Sequence, residues 1–277
     1  MLHVRRSDEI EYYRGLRRLF NNMIQEIKDG KVKPQDINRR VRQFMQSSPV
    51  NRFLNNLISK MTRRVRVNTA TSWREAASKG SRGPEILALV RNEMKGPVGE
   101  RVWQIVSDNA AYIKTLPEEW ALYATQYAAR EALKGKRPEE VEAELRKIMP
   151  PHIQKNLKTI ARTECAKANS AITQARAEMC GIQAYIWHSM ADERTRLGHA
   201  HMNGVLVFYD DPPSPEALVG EKSYGHYHAG NTFNCRCYQE PVVDMSFLPD
   251  TLEVYSDGSI HTMTKRALKR KFGNIAG

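Results

Sequence analysis

The sequence lacks long apolar runs and has few cysteines. No run among its 277 residues approaches the roughly 20 apolar residues that a helix needs to span a bilayer, and its first residues lack the apolar stretch of a secretion signal. Four cysteines are too few for a disulfide framework in a chain of this length. We therefore expect a soluble protein made in the cytoplasm, with its thiols reduced or bound to a metal.

The sequence also lacks the common signatures of catalytic sites. It has no Gly-x-Ser-x-Gly turn, no His-Glu-x-x-His motif, no glycine-rich phosphate loop and no carboxylate pair at helical spacing near its histidines. We predict that the protein has no catalytic residues and is not an enzyme.

Acidic residues are the minority, and the imbalance is concentrated at the front of the chain. The net charge is +12, and residues 1–70 carry 16 basic against six acidic side chains. An exposed basic segment attracts DNA because its contacts with phosphates release counterions, and it can also dock on an acidic protein partner. The arginines expected at such a surface are Arg17, Arg18, Arg39, Arg40, Arg42, Arg63, Arg64 and Arg66.

The first half of the chain has the periodicity of helices. Apolar residues recur every three or four positions over residues 8–145. Glycine and proline interrupt helices, and the resulting breaks are predicted at Asp29–Gly30, Ser48–Pro49, Lys79–Pro84, Gly96–Pro97 and Gly135–Pro138. The tryptophans expected to anchor helix packing are Trp73, Trp103 and Trp120.

The second half is predicted to change from helix to short strands. A break at Pro150–Pro151 precedes one alanine-rich helix over residues 153–179, which Gly181 closes. The β-prone runs then lie at Ala184–His188 and Val205–Tyr209. Later elements are a loop over the surface at residues 210–231, a hairpin at residues 252–263 and a basic tail at residues 265–271.

Four short motifs in this half occur in a recognisable order. They are Ala161-Arg162-Thr163-Glu164, then Trp187, then Asp192-Glu193-Arg194-Thr195-Arg196-Leu197-Gly198-His199, and finally Asn234-Cys235-Arg236-Cys237. Together they resemble the minor head, or head morphogenesis, family of tailed bacteriophages typified by the F protein of phage Mu. The motif residues that the resemblance marks as structural are Arg162, Glu164, Trp187, Arg194, Arg196, Asn234 and Arg236.

The resemblance covers about a quarter of the chain and has one departure. Relatives usually carry a Pro-Gly pair shortly before the cysteines, where this chain has Ala229-Gly230. His226 and His228 therefore inherit no role from the family.

The resemblance implies a structural protein of the virion. A protein of this family is a minor component of the phage capsid, inside the head near the portal, and acts in head assembly or in handling the packaged double-stranded DNA. Its expected partners are the portal protein, the major capsid protein or both, and the packaged double-stranded DNA without sequence specificity, with no membrane. The alternative is a metal-dependent nuclease or other effector carried in the virion, with His199 at its active site.

The cysteine pair allows two interpretations. Thiolate and imidazole suit zinc, so His199, Cys235 and Cys237 could hold a structural zinc ion, with Asp192, His201, His188, His226 or His228 as the fourth ligand. Alternatively the cysteines are small buried residues, and Asp192 accepts hydrogen bonds from Arg194, Arg196 or Arg236. Two cysteines one residue apart face opposite sides of an extended strand, so a shared ion requires the chain to turn there.

These patterns predict an α+β protein. A predominantly helical N-terminal region is followed by a small mixed α+β C-terminal module with short antiparallel strands. The expected domains are a basic helical region at residues 1–149, the Mu F-like head morphogenesis module at residues 150–245, and the hairpin with its basic tail at residues 246–277. Glu164 lies next to Arg162 on the long helix and is expected to be an internal ion-pair partner and not a catalytic acid.

Overall fold

A computed structural model describes residues 3–29, 36–134, 136 and 138–277 of the chain. Its helices are α1 (Arg6–Asp29), α2 (Ile37–Gln46), α3 (Ser48–Ala77), α4 (Gly83–Asn92), α5 (Pro97–Leu133), α6 (Pro138–Met179), α7 (Leu197–His201) and α8 (Lys265–Phe272). Its strands are β1 (Ala184–His188), β2 (Leu206–Phe208), β3 (Tyr238–Pro241), β4 (Thr251–Ser256) and β5 (Ser259–Thr264). Within these residues, no helix is both long and apolar enough to cross a membrane.

Prolines begin several helices at the predicted breaks. Pro49, Pro84 and Pro97 lie at or next to the first residues of α3, α4 and α5, where the missing N–H of proline would have had no helical partner. Gly30, Gly135 and Arg137, which belong to two other predicted breaks, lie outside the described residues.

The helix break predicted at Pro150–Pro151 is wrong, because α6 runs without interruption from Pro138 to Met179. Proline fixes φ near the helical value, but inside a helix it removes one backbone hydrogen bond and its ring crowds the carbonyl four residues earlier, which destabilises a helix without always ending it. A long helix can continue through it, as α5 also does at Pro117. The proposed division into domains at residues 150 and 246 stays a prediction.

Contacts divide the chain into two compact units. The first comprises residues 1–5, 63–103 and 162–277, and the second comprises residues 6–62 and 104–161. In the second unit, apolar residues of the amphipathic helices α1, α2 and α3 are buried at intervals of three and four. Examples are Leu16, Leu19, Phe20, Met23, Val41, Met45, Leu54 and Ile58.

The first unit contains all five strands, in the order β3-β1-β2-β4-β5. Three of the four strand pairs are antiparallel, while β2 and β4 are parallel, with Leu206 opposite Val254. The parallel pair arises because the chain leaves the edge strand β3 and returns on the far side of β2. The predicted α+β class is confirmed, and the sheet is mixed instead of wholly antiparallel.

Alternate residues of β1 and β2 face two different cores. Ala184, Leu206 and Phe208 pack with Val254 and Leu268, whereas Tyr185, Trp187 and Val207 pack with Cys235 and Cys237. This is the two-residue period of strands. It directs Trp187 towards the cysteine pair.

The predicted basic tail is a helix that packs on the sheet. Thr264 caps the start of α8 by accepting a hydrogen bond from the Ala267 N–H, and Leu268 and Ile275 are fully buried. The hairpin and the tail therefore share a core with β1 and β2, although the sequence pattern predicted a separate region for them.

A buried ion pair lies among the helices of the first unit. Arg176 of α6 is fully buried, and its Nε donates to Glu93 Oε2 over 2.6 Å. Arg176 also donates to Thr69 Oγ1 and to the Arg66 carbonyl, and the Arg66 side chain donates to Glu93 Oε1 over 2.7 Å. Arg66 is therefore engaged in this buried network, despite its place in the predicted DNA-contact set.

Of the tryptophans in the first unit, Trp73 is 1% exposed and anchors the packing of α3 as predicted. The prediction for Trp103 is wrong, since its side chain is 71% exposed. Helical spacing alone did not distinguish this exposed position of α5 from the buried ones.

Candidate metal centre

His199, Cys235 and Cys237 come together in the first unit. His199 Nδ1 lies 3.3 Å from Cys237 Sγ and 3.5 Å from Cys235 Sγ, and one ligand atom of each residue lies within 4.8 Å of the others. Tetrahedral zinc with ordinary bond lengths separates nitrogen from sulfur by about 3.6 Å. These three buried side chains fit a zinc ion.

The chain turns at the cysteine pair, which removes the obstacle to a shared ion. The cysteines lie just before β3, and Asn234 has a φ of 54°, in the left-handed region that asparagine tolerates. The Cys237 N–H approaches Cys235 Sγ at 3.4 Å. Both sulfur atoms therefore face His199.

The thiols of the pair have different acidities. The pKa of Cys235 is lowered because Cys237 donates to its sulfur and His199 lies beside it, whereas the pKa of Cys237 is raised by the same interaction and by burial. Zinc binding would release the protons that the thiols still hold, since thiolates are the ligands.

A second layer of polar groups orients His199 from the opposite side. His199 Nε2 lies 3.0 Å from the Tyr227 hydroxyl and 3.4 Å from Glu216 Oε1. Tyr227 donates to Glu216 Oε1 over 2.5 Å, and burial together with this carboxylate raises the pKa of Tyr227, so its hydroxyl keeps its proton. These contacts hold Nε2 and leave Nδ1 facing the sulfur atoms. Hydrogen-bond partners of metal-bound histidines commonly orient the ring in this way.

Sequence reasoning missed Glu216 and Tyr227. Both lie within residues 210–231, which were expected to form a loop over the surface, yet Glu216 is 1% and Tyr227 7% exposed. In the folded loop, Glu216 Oε1 and the Tyr227 hydroxyl pair with each other and with His199, and these contacts offset part of the cost of burying them. No residue spacing in this segment signals that contact.

The predicted fourth ligand Asp192 lies in an ion pair. Arg236 Nη1 and Nη2 each donate to one carboxylate oxygen of Asp192 over 2.5 Å, and Thr195 donates to Oδ1 over 3.1 Å. These bonds hold the pKa of Asp192 below its usual range, with Arg236 as the main cause. Asp192 therefore braces the loop against the cysteine segment, as the second interpretation expected, and the metal-ligand group comprises His199, Cys235 and Cys237.

The other candidates for a fourth ligand also have other contacts. His188 Nε2 lies 2.5 Å from Glu240 Oε2, His226 Nδ1 lies 2.9 Å from the Pro212 carbonyl, and His228 Nδ1 lies 3.3 Å from the Tyr185 hydroxyl. His201 is exposed at the end of α7.

The remaining motif residues tie separate segments together. Arg162 donates to Asn234 Oδ1 over 2.9 Å, and the Asn234 N–H donates to Thr163 Oγ1 over 2.9 Å. Arg196 Nη2 donates to the Phe233 carbonyl over 2.7 Å. Glu164 lies 3.7 Å from Lys167, so it has a basic neighbour, as expected. The motifs thus join α6 and the His199 loop to the cysteine turn.

Most arginines of the predicted DNA-contact set are exposed. Arg17, Arg18, Arg39 and Arg42 are exposed in the second unit, and Arg63 is exposed in the first. Arg39 pairs with Asp36 and Arg40 with Glu26. Arg64 is half-buried, and the Arg66 side chain is engaged by Glu93. Both arginines are therefore less available to a partner.

His228 gives the first unit a predicted pH dependence. Burial lowers the pKa of its imidazole from 6.5 to about 4. Between these values the unfolded chain binds a proton that the folded chain does not, so stability should fall by about 3 kcal/mol as the pH is lowered through this window.

Urea unfolding at pH 7 and pH 4.5 would measure this effect. His228→Gln cannot take up the proton, so it should lose less stability on acidification than the wild type. Parallel losses in the two proteins would show that His228 is not the cause.

Comparison with known proteins supports the resemblance. A protein of Haemophilus influenzae described as uncharacterized is 32% identical over 167 residues, which is 60% of this chain but 34% of that protein. The matched region therefore spans about a third of the relative's length. No solved structure matches the chain. Residues 125–240 match the family described as Phage Mu protein F like protein, so the resemblance to the Mu F-like family is confirmed for this part of the chain.

Proposed function

We propose that the protein is a minor head protein of a tailed phage, located inside the capsid near the portal. It acts in head assembly and contacts the packaged DNA. The observation that carries this proposal is the family match over residues 125–240, which includes the whole His199, Cys235 and Cys237 group.

DNA contact is assigned to the exposed arginines of the front helices. Residues 1–70 hold most of the excess positive charge of the chain, and Arg17, Arg18 and Arg42 are exposed in the second unit. Such a surface binds phosphates without reading base sequence. Continuous helices with exposed arginines fit a nonspecific contact with packaged DNA.

We assign the metal centre a structural role because its three ligands join separate segments, although they leave the fourth zinc position to a ligand from outside this group. A zinc ion on His199, Cys235 and Cys237 would lock the cysteine turn to α7 beneath the Asp192–Arg236 pair. The ion would therefore hold a rigid fold, and no catalytic step is assigned to it.

Co-sedimentation with linear DNA across a salt series tests the DNA contact. Wild-type binding should fall steeply with salt. A triple variant of Arg17→Gln, Arg18→Gln and Arg42→Gln should bind more weakly, and its salt slope should be smaller by about one for each phosphate that the wild-type arginines neutralise. Truncating residues 1–70 is unsuitable, because it would remove Arg66 and Thr69 from the buried Arg176 network.

The matched control is a triple variant of Arg266→Gln, Lys269→Gln and Arg270→Gln, on exposed positions of α8. This variant should retain the wild-type salt slope. Equal losses in both variants would mean that net charge alone governs binding. Salt-resistant binding to the portal oligomer with little affinity for DNA would make the front helices a protein-docking surface and contradict the DNA contact.

The same samples test the nuclease alternative. Cleavage of the DNA that disappears in His199→Ala would favour a metal-dependent nuclease over a structural protein. We expect intact DNA with both proteins.

A further inference from the structure

A small pocket opens beside the candidate metal centre. It has a volume of about 50 Å³, and its lining includes the metal-ligand group together with Arg194, Arg196, Asn234 and Arg236. His199 and the cysteines are buried, whereas Arg194 is exposed. The metal-ligand group therefore forms the inner end of the pocket, and arginines lie towards its mouth.

The three arginines of the pocket differ in what they already bind. Arg236 is neutralised by Asp192, which accepts from both of its terminal nitrogens. Arg194 has a side chain that is 73% exposed and lies 3.6 Å from Asp192 at its nearest. The pocket thus keeps positive charge from Arg194 and Arg196 after the Asp192 carboxylate is counted.

Arg196 is held in place but has an unused donor. Its Nη2 donates to the Phe233 carbonyl over 2.7 Å, and its guanidinium carbon lies 5.6 Å from the centre of the Tyr224 ring. Its Nη1 is buried, and no residue in the described part of the chain accepts a hydrogen bond from it. A buried, charged N–H group without an acceptor is costly, and a bound anion would satisfy it.

We propose that this pocket binds a phosphate group. Arg196 Nη1 and the Arg194 guanidinium donate to its oxygens, and the Asn234 side chain lies at the same wall. Donors from two segments of the chain suit an anion with several oxygens better than a single acceptor, and guanidinium groups match phosphate geometry well. The phosphate is either the free ion or a phosphodiester of a nucleic acid.

The proposal stands on the pocket and its arginines and does not require the function proposed above. The two thiolates would balance the charge of a zinc ion on the three ligands, so such an ion would add little net positive charge at the inner end of the pocket. It is not needed for the hydrogen bonds from Arg194 and Arg196.

Titration calorimetry with inorganic phosphate at low salt tests the site in the full chain. We expect Arg196→Gln to weaken phosphate binding by about tenfold or more, because it removes one charge-assisted hydrogen bond. Arg194→Gln should weaken it by at least about threefold, because it removes a more exposed charge. Arg266→Gln removes the same charge from an exposed position on α8 and should leave the affinity unchanged.

If Arg196→Gln perturbs the turn at Phe233, the Arg194→Gln variant still tests the site, because the Arg194 side chain is exposed. The absence of phosphate binding at millimolar concentration, an equal affinity for acetate, or an equal loss in Arg194→Gln and Arg266→Gln would overturn the proposal.

A double-stranded oligonucleotide distinguishes the two sources of phosphate. Competition between the oligonucleotide and free phosphate, with both weakened by Arg194→Gln, would identify a nucleic-acid phosphodiester as the ligand. Oligonucleotide binding that is weakened neither by free phosphate nor by Arg194→Gln would identify the free ion as the ligand of the pocket. This result is separable from the front-helix test, because the pocket variants leave Arg17, Arg18 and Arg42 in place.

Discussion

Glu93→Gln is expected to lower the free energy of unfolding of the first unit by about 3–5 kcal/mol. Glu93 is 1% exposed and Arg176 is fully buried, so the substitution leaves a guanidinium in the interior without its counter-charge. Arg66 loses the same carboxylate. The cost comes from the unpaired buried charge more than from the missing attraction.

Equilibrium unfolding in urea would measure this change, and Glu85→Gln is the matched control. Glu85 also pairs with an arginine, Arg82, but its side chain is 56% exposed. Solvent screens such a pair, so the control should be close to the wild type. Similar stabilities for Glu93→Gln and Glu85→Gln would contradict the role assigned to the buried network.

Cys235→Ser is expected to abolish zinc binding and to lower the melting temperature of the first unit markedly. Protein purified without an affinity tag should contain about one zinc per chain, and the loss of one thiolate removes a third of the protein ligands. The buried hydroxyl also replaces a sulfur that packs against His199 and Cys237.

Elemental analysis measures the metal, and Cys180→Ser is the control. Cys180 is a buried thiol in a different core, with Trp73 and Val90, so its variant should keep the zinc. Well-folded wild-type protein without metal would establish the other interpretation, in which Cys235 and Cys237 are small core residues and the Asp192–Arg236 pair alone secures the loop.

Local patterns predicted much of the fold. β1 forms at Ala184–His188 as predicted, and the hairpin of β4 and β5 surrounds Asp257 and Gly258, because alternating apolar residues and turn residues act over short distances. The same reasoning failed at Pro150–Pro151, where the helical context outweighed a local break. It also treated residues 265–271 as a tail, since the contact of Leu268 with the sheet joins distant parts of the chain.

The metal-ligand group was only partly predictable. Residue chemistry selected His199, Cys235 and Cys237, and the structure brings these three together. Residue chemistry did not select Glu216 and Tyr227, because nothing in the sequence of a proline-rich segment distinguishes a buried carboxylate from an exposed loop residue. Arg66 shows the reverse error, since an arginine in a basic segment was assigned to the surface although its partner Glu93 lies 27 positions away.

The central claim is that the chain is a component of the phage head, and quantitative mass spectrometry of purified particles tests it most directly. Particles made by the phage that encodes the chain should contain it inside DNA-filled heads, in far fewer copies than the major capsid protein. Particles with full heads and infectivity but without this chain would contradict the account.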